Sequence, residues 1–356
     1  MSPDTGHLAL RLAKQIEGSG PISVAEYMRA ANEEYYAKGD PFGVEGDFIT
    51  APEISQMFGE LIGMWLTDIW MRQNRPANCH YVELGPGRGT LAADALRAMA
   101  QFEFAPQIHF VENSGILRAQ QAENVPLAAF HDSIASLPTD GPLLVIANEF
   151  FDALPVRQLI LTHAGWRERV VVRDRGTKFA AMPGSSAMDA AVPEAFRNSP
   201  VGSIVESAPD AAGIMYELAG RIAQQGGAML VSDYGYVQPG LGSTLQAVKA
   251  HERADPFLDP GMCDLTAHVN FLDLANMARM RELSMAGPTA QGVWLSALGI
   301  QQRAAMLAEA SPERTDEINA ARDRLVKADQ MGALFKVMAV CSPDWPAPEG
   351  FGVAVD

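Results

Sequence analysis

Eight consecutive residues, Glu83-Leu84-Gly85-Pro86-Gly87-Arg88-Gly89-Thr90, carry the clearest chemistry in this 356-residue chain. Glycines at alternate positions let the backbone turn sharply and approach a ligand, and a helix starting there offers unpaired N–H groups. The apolar run 79–85 precedes the turn and helical spacing resumes over 90–101, so the motif lies between a strand and a helix. A dinucleotide fingerprint needs glycines at relative positions 1, 3 and 6. Here they fall at 1, 3 and 5, Thr90 takes the sixth place, and Glu83 stands two residues before the first. A carboxylate there repels a pyrophosphate and attracts a cation. A turn that only tightens a β–α connection is the plainer alternative.

Further carboxylates fall at strand ends. Glu112 closes the segment 107–113 and Asp132 closes 126–132; a carboxylate in the first position can accept both hydroxyls of a ribose. After the apolar run 142–150 comes Asn148-Glu149-Phe150-Phe151-Asp152. In doubly wound folds the acceptor lies beyond the carboxyl ends of the strands. Glu149 and Asp152, with Phe150 and Phe151 as apolar walls, suit a bidentate grip on a guanidinium. Capping of a following helix is the alternative for either acid. Asp47 in GDFIT (46–50) and His268 in DLTAHVNF (264–271) are secondary catalytic candidates. Asp264 and Thr266 are read as caps of a helix starting near Ala267.

The elements that must hold these groups follow from apolar spacing. Short apolar runs at 79–85, 107–113, 126–132, 142–150 and 226–235 alternate with helical segments at 90–101, 116–124 and 209–225. Such runs, apolar without alternation, indicate a parallel sheet covered on both faces. The fold class is therefore α/β, a doubly wound, Rossmann-like sheet. Residues 1–75 form a helical N-terminal region with a GDF loop, in which Ser23 and Glu26 fit a capping box. The ligand-binding core takes 76–156 and 203–250 plus 331–345. A β-meander, 157–202, and a mostly helical substrate-side segment, 251–330, interrupt it. In the latter, Ser311 is read as a cap, with Pro312 at the first helical position. The apolar helix over 53–72 fits either the core or a homodimer interface, and the sequence leaves the two open.

The arrangement E-x-G-x-G-x-G resembles motif I of class I S-adenosylmethionine-dependent methyltransferases. That likeness implies S-adenosyl-L-methionine as cofactor, with Glu83 at its methionine amino end and Gly85, Gly87 and Gly89 beneath it. Glu112 then meets the ribose, while Asp132 or its neighbouring backbone meets the adenine amino group. Asn148 completes the expected cofactor set. A sulfonium and an ammonium also suit an acidic turn. Beyond motif I, GDFITAPEISQMFGE (46–60), VELGPGRGT (82–90), ANEFFDALPV (147–156), SDYG (232–235), CDLTAHVNF (263–271) and MGALFKV (331–337) resemble the MidA family. Ala51 and Asn270 depart from its usual serine and aspartate. The resemblance implies methylation of arginine in a protein substrate, a quinone-side subunit of respiratory complex I in the mitochondrial members. A small-molecule methyltransferase is the first alternative. The second is a non-catalytic assembly chaperone that binds the cofactor.

Composition excludes several classes. Lys+Arg 27 against Asp+Glu 43 leaves a net charge of −16, which repels phosphate backbones and argues against nucleic acid as partner. No apolar run reaches the roughly 18–20 residues that span a bilayer. Cys79, Cys263 and Cys341 lie far apart, without metal-ligand spacing, so no metal is expected. With no apolar leader in the first twenty residues, a cytoplasmic protein is expected. The meander carries Arg157, Arg167, Arg169, Arg173, Arg175 and Lys178; either an acidic partner or plain solvation accounts for them.

Overall fold

The computed structural model describes residues 7–39, 49–174, 176, 178–249 and 252–352. They divide into two compact units. The first gathers Met1–Phe48, Asp152–Ala211 and Gln238–Asn270; the second gathers Ile49–Phe151, Ala212–Val237 and Phe271–Asp356.

The second unit holds the doubly wound sheet. Its strands are β1 (His80–Leu84), β2 (Gln107–Val111), β3 (Ala129–His131), β4 (Leu143–Asn148), β5 (Gly227–Tyr236), β6 (Ser284–Ala290) and β7 (Phe335–Cys341). These seven lie in the order 3-2-1-4-5-7-6. β1 to β5 are mutually parallel, and β7 runs antiparallel to β5 and β6. The order reverses between β1 and β4, so a crevice opens at their carboxyl ends. Register brings three of the candidate residues there: Leu84 lies opposite Val111 and Ala147. Gly85, Glu112 and Asn148 follow at one level.

Burial explains the apolar runs. β1 is buried throughout and β4 everywhere but Asn148, as strands covered on both faces must be. The helix expected over 53–72 is two. Ser55 takes extended angles (φ −163°, ψ 138°), and its side chain accepts the Met57 N–H. A short turn, Ala51–Ile54, therefore precedes α1 (Gln56–Arg72). α1 buries Phe58, Ile62, Trp65, Leu66 and Ile69 within this unit's core. Gly63 lets it approach α2 (Thr90–Ala100): a Cβ there would fall 2.4 Å from the Ala95 carbonyl oxygen. α3 (Gly115–Asn124) follows β2, with its N-terminus capped by Ser114. β6 falls in the segment read as mostly helical; it extends the sheet by pairing with β7. Ser311 makes no side-chain cap. Pro312–Arg314 is a single 3-10 turn before the helix Thr315–Val326.

The first unit packs the helices His7–Ser19 and Val24–Lys38 around Leu8, Leu12, Tyr27 and Met28, with Val171, Phe179 and Leu265. Ser23 and Glu26 form the expected capping box. The meander is present as Arg157–Thr162, Gly165–Arg173 and Phe179–Ala187. Its cations are largely paired within the unit. Arg157 meets Glu168 at 2.8 Å, Arg173 meets Glu17 at 3.2 Å, and Arg169 bonds Gln158 and lies over the Phe257 ring. Asp264–Thr266 is a strand, and the next helix begins at Phe271; the expected cap before Ala267 is absent because strand pairing with Gln246–Val248 claims that backbone. Among the described residues no helix is long and apolar enough to cross a membrane.

Candidate functional site

All three turn glycines take left-handed angles, with φ of 58° at Gly85, 57° at Gly87 and 81° at Gly89. Gly89 serves as N-cap of α2, which aims that helix's first N–H groups at the turn. The turn is tied down from outside. Glu53, in the Ala51–Ile54 turn, accepts the Thr90 hydroxyl at 2.6 Å and Arg88 at 3.4 Å. Sequence reading passed over Glu53 because an acid after proline reads as a helix start.

Glu83 is 3% exposed. Burial pushes its carboxyl up to about 8, although the Tyr81 hydroxyl, donating at 2.7 Å, pulls the other way. Near neutral pH the carboxyl is largely protonated. It is therefore a latent negative charge, drawn out by a cation.

Glu112 sits at the end of β2. Its Oε1 accepts the Ser114 N–H at 2.7 Å, and its Oε2 accepts Gln121 Nε2 at 3.3 Å. Burial raises its pKa; those two bonds oppose the rise. Asp132 is different: its side chain is 87% exposed and paired with Arg118 at 2.6 Å. The same Arg118 donates to the Glu112 carbonyl at 2.7 Å.

The turn after β4 is the second half of the site. Glu149 adopts φ 51°, a left-handed conformation costing on the order of 1–3 kcal/mol in a residue with a side chain. Asp233 holds it there. Fully buried, Asp233 accepts the N–H groups of Phe150 (3.2 Å) and Phe151 (2.9 Å) on Oδ2, and that of Tyr234 (3.0 Å) on Oδ1. The Glu149 N–H bonds the Ser232 carbonyl at 2.9 Å. Its Oε1 accepts the Ala51 N–H at 3.0 Å and Asn148 Nδ2 at 3.3 Å. The Asn148 Oδ1 is buried without a hydrogen-bond partner among the described residues. The Phe150 ring lies over the glycine turn, 3.1 Å from where a Gly85 Cβ would stand. Asp233 falls within SDYG, and nothing in its local pattern marks a side chain that caps a different strand's turn.

Asp152 and His268 belong to the first unit. There the Ala267 N–H donates to the Asp152 carbonyl at 2.9 Å, and the His268 N–H to Thr244 Oγ1 at 2.9 Å, so the two segments adjoin. Asp47 lies outside the described residues.

A glycine turn at a switch point, beside buried and half-buried carboxyls, is the arrangement of a nucleoside-cofactor enzyme of the doubly wound class. A family model described as S-adenosyl-L-methionine-dependent methyltransferase matches residues 61–289. A Drosophila melanogaster protein, named as a mitochondrial protein arginine methyltransferase NDUFAF7 homolog, is 37% identical, covering 94% of this chain and 85% of that one. The Mus musculus NDUFAF7, likewise named mitochondrial, is 36% identical over 92% of this chain and 83% of its own. Among solved structures, a Burkholderia thailandensis protein bound to S-adenosyl-homocysteine superposes with a TM-score of 0.85. It is 26% identical, with 99% of this chain and 97% of that chain covered. The chain belongs to the MidA-like family of S-adenosyl-L-methionine-dependent methyltransferases. The cytoplasmic expectation is corrected by relatives named as mitochondrial. The absence of an apolar run among the first twenty residues, on which that expectation rested, carries no information about compartment.

Proposed function

We propose that this chain methylates arginine side chains of a protein partner. The observation that carries the reading is the likeness, over more than nine-tenths of the chain, to proteins named as protein arginine methyltransferases. The residues fit the cofactor: Gly85, Gly87 and Gly89 leave the turn bare of side chains at left-handed angles, and the buried Glu83 carboxyl suits an ammonium. Glu83 holds the amino end, Gly85, Gly87 and Gly89 floor the cofactor, Glu112 receives the ribose, and Asn148 lines the end of β4. For adenine, the backbone beside Asp132 is the better alternative, since the carboxylate is exposed and engaged by Arg118. Bound there, S-adenosylmethionine supplies an activated methyl carbon.

An arginine stays protonated in water, so its nitrogen becomes nucleophilic only when the charge is drawn to one side of the guanidinium. Glu149 does this at the acceptor end. Its carboxylate orients the guanidinium and takes the proton the nitrogen sheds, while Phe150 keeps water away. Asp152, His268 and Asp47 are the further catalytic candidates. A quinone-side subunit of respiratory complex I, drawn from the family resemblance, is the partner to try first, and oligomeric state is to be measured with it.

The test uses extract from cells lacking this protein, supplied with purified chain and methyl-labelled S-adenosylmethionine. A labelled protein band that yields methylarginine on hydrolysis is expected. Label confined to small molecules overturns the reading and leaves a small-molecule methyltransferase. Binding without any transfer points to a chaperone.

A further inference from the structure

We infer that Gln121 is a positioning residue for cofactor binding, one amide that fixes both the floor of the glycine turn and the carboxylate assigned to the ribose. The inference rests on that assignment of Glu112.

Gln121 lies in α3 and is fully buried. Its Nε2 donates to the Gly87 carbonyl at 2.7 Å and to Glu112 Oε2 at 3.3 Å. Both partners are acceptors only, so the amide can face them with its nitrogen alone. The consequence is on the other side of the group: Gln121 Oε1 is buried with no hydrogen-bond partner among the described residues. An unsatisfied buried acceptor is unfavourable, and an apolar side chain of similar length avoids it. Fold stability alone therefore selects against glutamine at this position. What the amide provides is a fixed link. It joins the middle glycine of the turn to the end of β2, and it gives the half-buried Glu112 a donor that favours the ionised form.

The link also carries a pH signature. Without the amide donor, Glu112 protonates at higher pH, and a protonated carboxyl accepts fewer hydroxyl protons. Gln121→Met removes the donor and keeps the packing. Gln121→Glu keeps the shape; its carboxyl still donates while protonated but repels Glu112 once ionised.

The experiment is calorimetric titration of S-adenosyl-homocysteine into the full chain and its variants between about pH 5.5 and 8.5, spanning the carboxyl range raised by burial. Gln121→Met is expected to bind about tenfold more weakly at neutral pH, the size of one hydrogen bond to a charged group, with the loss growing as pH falls. Gln121→Glu is expected to lose affinity in the opposite sense, growing as pH rises. Combined with Glu112→Gln, the Gln121→Met loss should largely vanish, because its target is gone. Affinity equal to the parent at every pH, or a loss that adds fully to Glu112→Gln, overturns the inference. Should Glu112→Gln alone bind as the parent does, the ribose assignment is what fails. Should Gln121→Met not fold, the pH trend of Gln121→Glu decides.

Discussion

The Tyr81 hydroxyl donates to the Glu83 carboxyl at 2.7 Å, and both side chains lie in the core of the second unit. Burial holds Glu83 at about 8, so a ligand ammonium must draw a proton off before it meets a full charge. The sign follows. Between pH 6 and 9 the free chain passes from protonated to ionised Glu83, and affinity for S-adenosyl-homocysteine should rise with pH, with proton release below about 8. Titrations in buffers of different ionisation enthalpy check this. In Glu83→Gln the part of the slope due to this carboxyl should disappear; an unchanged slope contradicts the assignment.

Stability has its own pH window. His80, His109 and His131 are hydrogen-bonded in a row across β1, β2 and β3, at 3.1 and 3.0 Å, with Asp140 at one end and Ser136 at the other. Burial pushes His109 down to about 4, and the neighbouring imidazoles add to it. A histidine with a depressed folded pKa is neutral in the fold while the unfolded chain takes the proton. Its contribution is therefore complete above about 6.5, the ordinary value, and is lost as pH falls toward 4. Urea unfolding should show stability declining over that interval. His109→Gln should flatten the decline, and an identical slope in the variant speaks against the row as its source.

Asp233 is expected to act through the turn it holds. Asn at this position puts an amide N–H₂ or a single oxygen against three backbone donors. The left-handed Glu149 turn then relaxes, and a misplaced catalytic group can cost about a hundredfold in rate. Methyl transfer by Asp233→Asn should fall by that order, with a stability loss of about 1–3 kcal/mol from unsatisfied N–H groups. A variant as active as the parent would show that the clamp is dispensable.

Packing between α1 and α2 is close enough to forbid a methyl group. Gly63→Ala places a Cβ 2.4 Å from the Ala95 carbonyl oxygen and 2.7 Å from its Cα, backbone atoms that cannot turn aside. The helices must part, at about 1–3 kcal/mol. Chemical denaturation measures it, and a midpoint equal to the parent's excludes the clash.

Much of the doubly wound core was legible, because β1, β4 and the first seven residues of β5 are buried and carry apolar runs, Leu143–Ala147 and Ala228–Val231 among them. The glycine turn was legible for a local reason, since left-handed angles at Gly85, Gly87 and Gly89 select one residue type. β6 was not legible: an edge strand half exposed and rich in small residues has no periodic signal. Nor was the break at Ser55, where a cap competes inside an otherwise helical pattern. Spacing put Glu112 and Asp132 at the ends of strands but did not give their state. That Glu83 is protonated, that Asp132 is engaged by Arg118, and that Asp233 and Gln121 clamp distant turns all depend on tertiary neighbours.

The most direct measurement compares the parent chain with Glu149→Gln, in parallel, for S-adenosyl-homocysteine binding and for methylarginine released from a labelled protein partner. Glutamine keeps the shape and the Ala51 N–H bond but cannot take a proton or localise a guanidinium charge. Binding should be unchanged and methylarginine reduced by about 10²–10⁴-fold, the range of a lost general base. Methylarginine formed at the parent's rate by Glu149→Gln would contradict it.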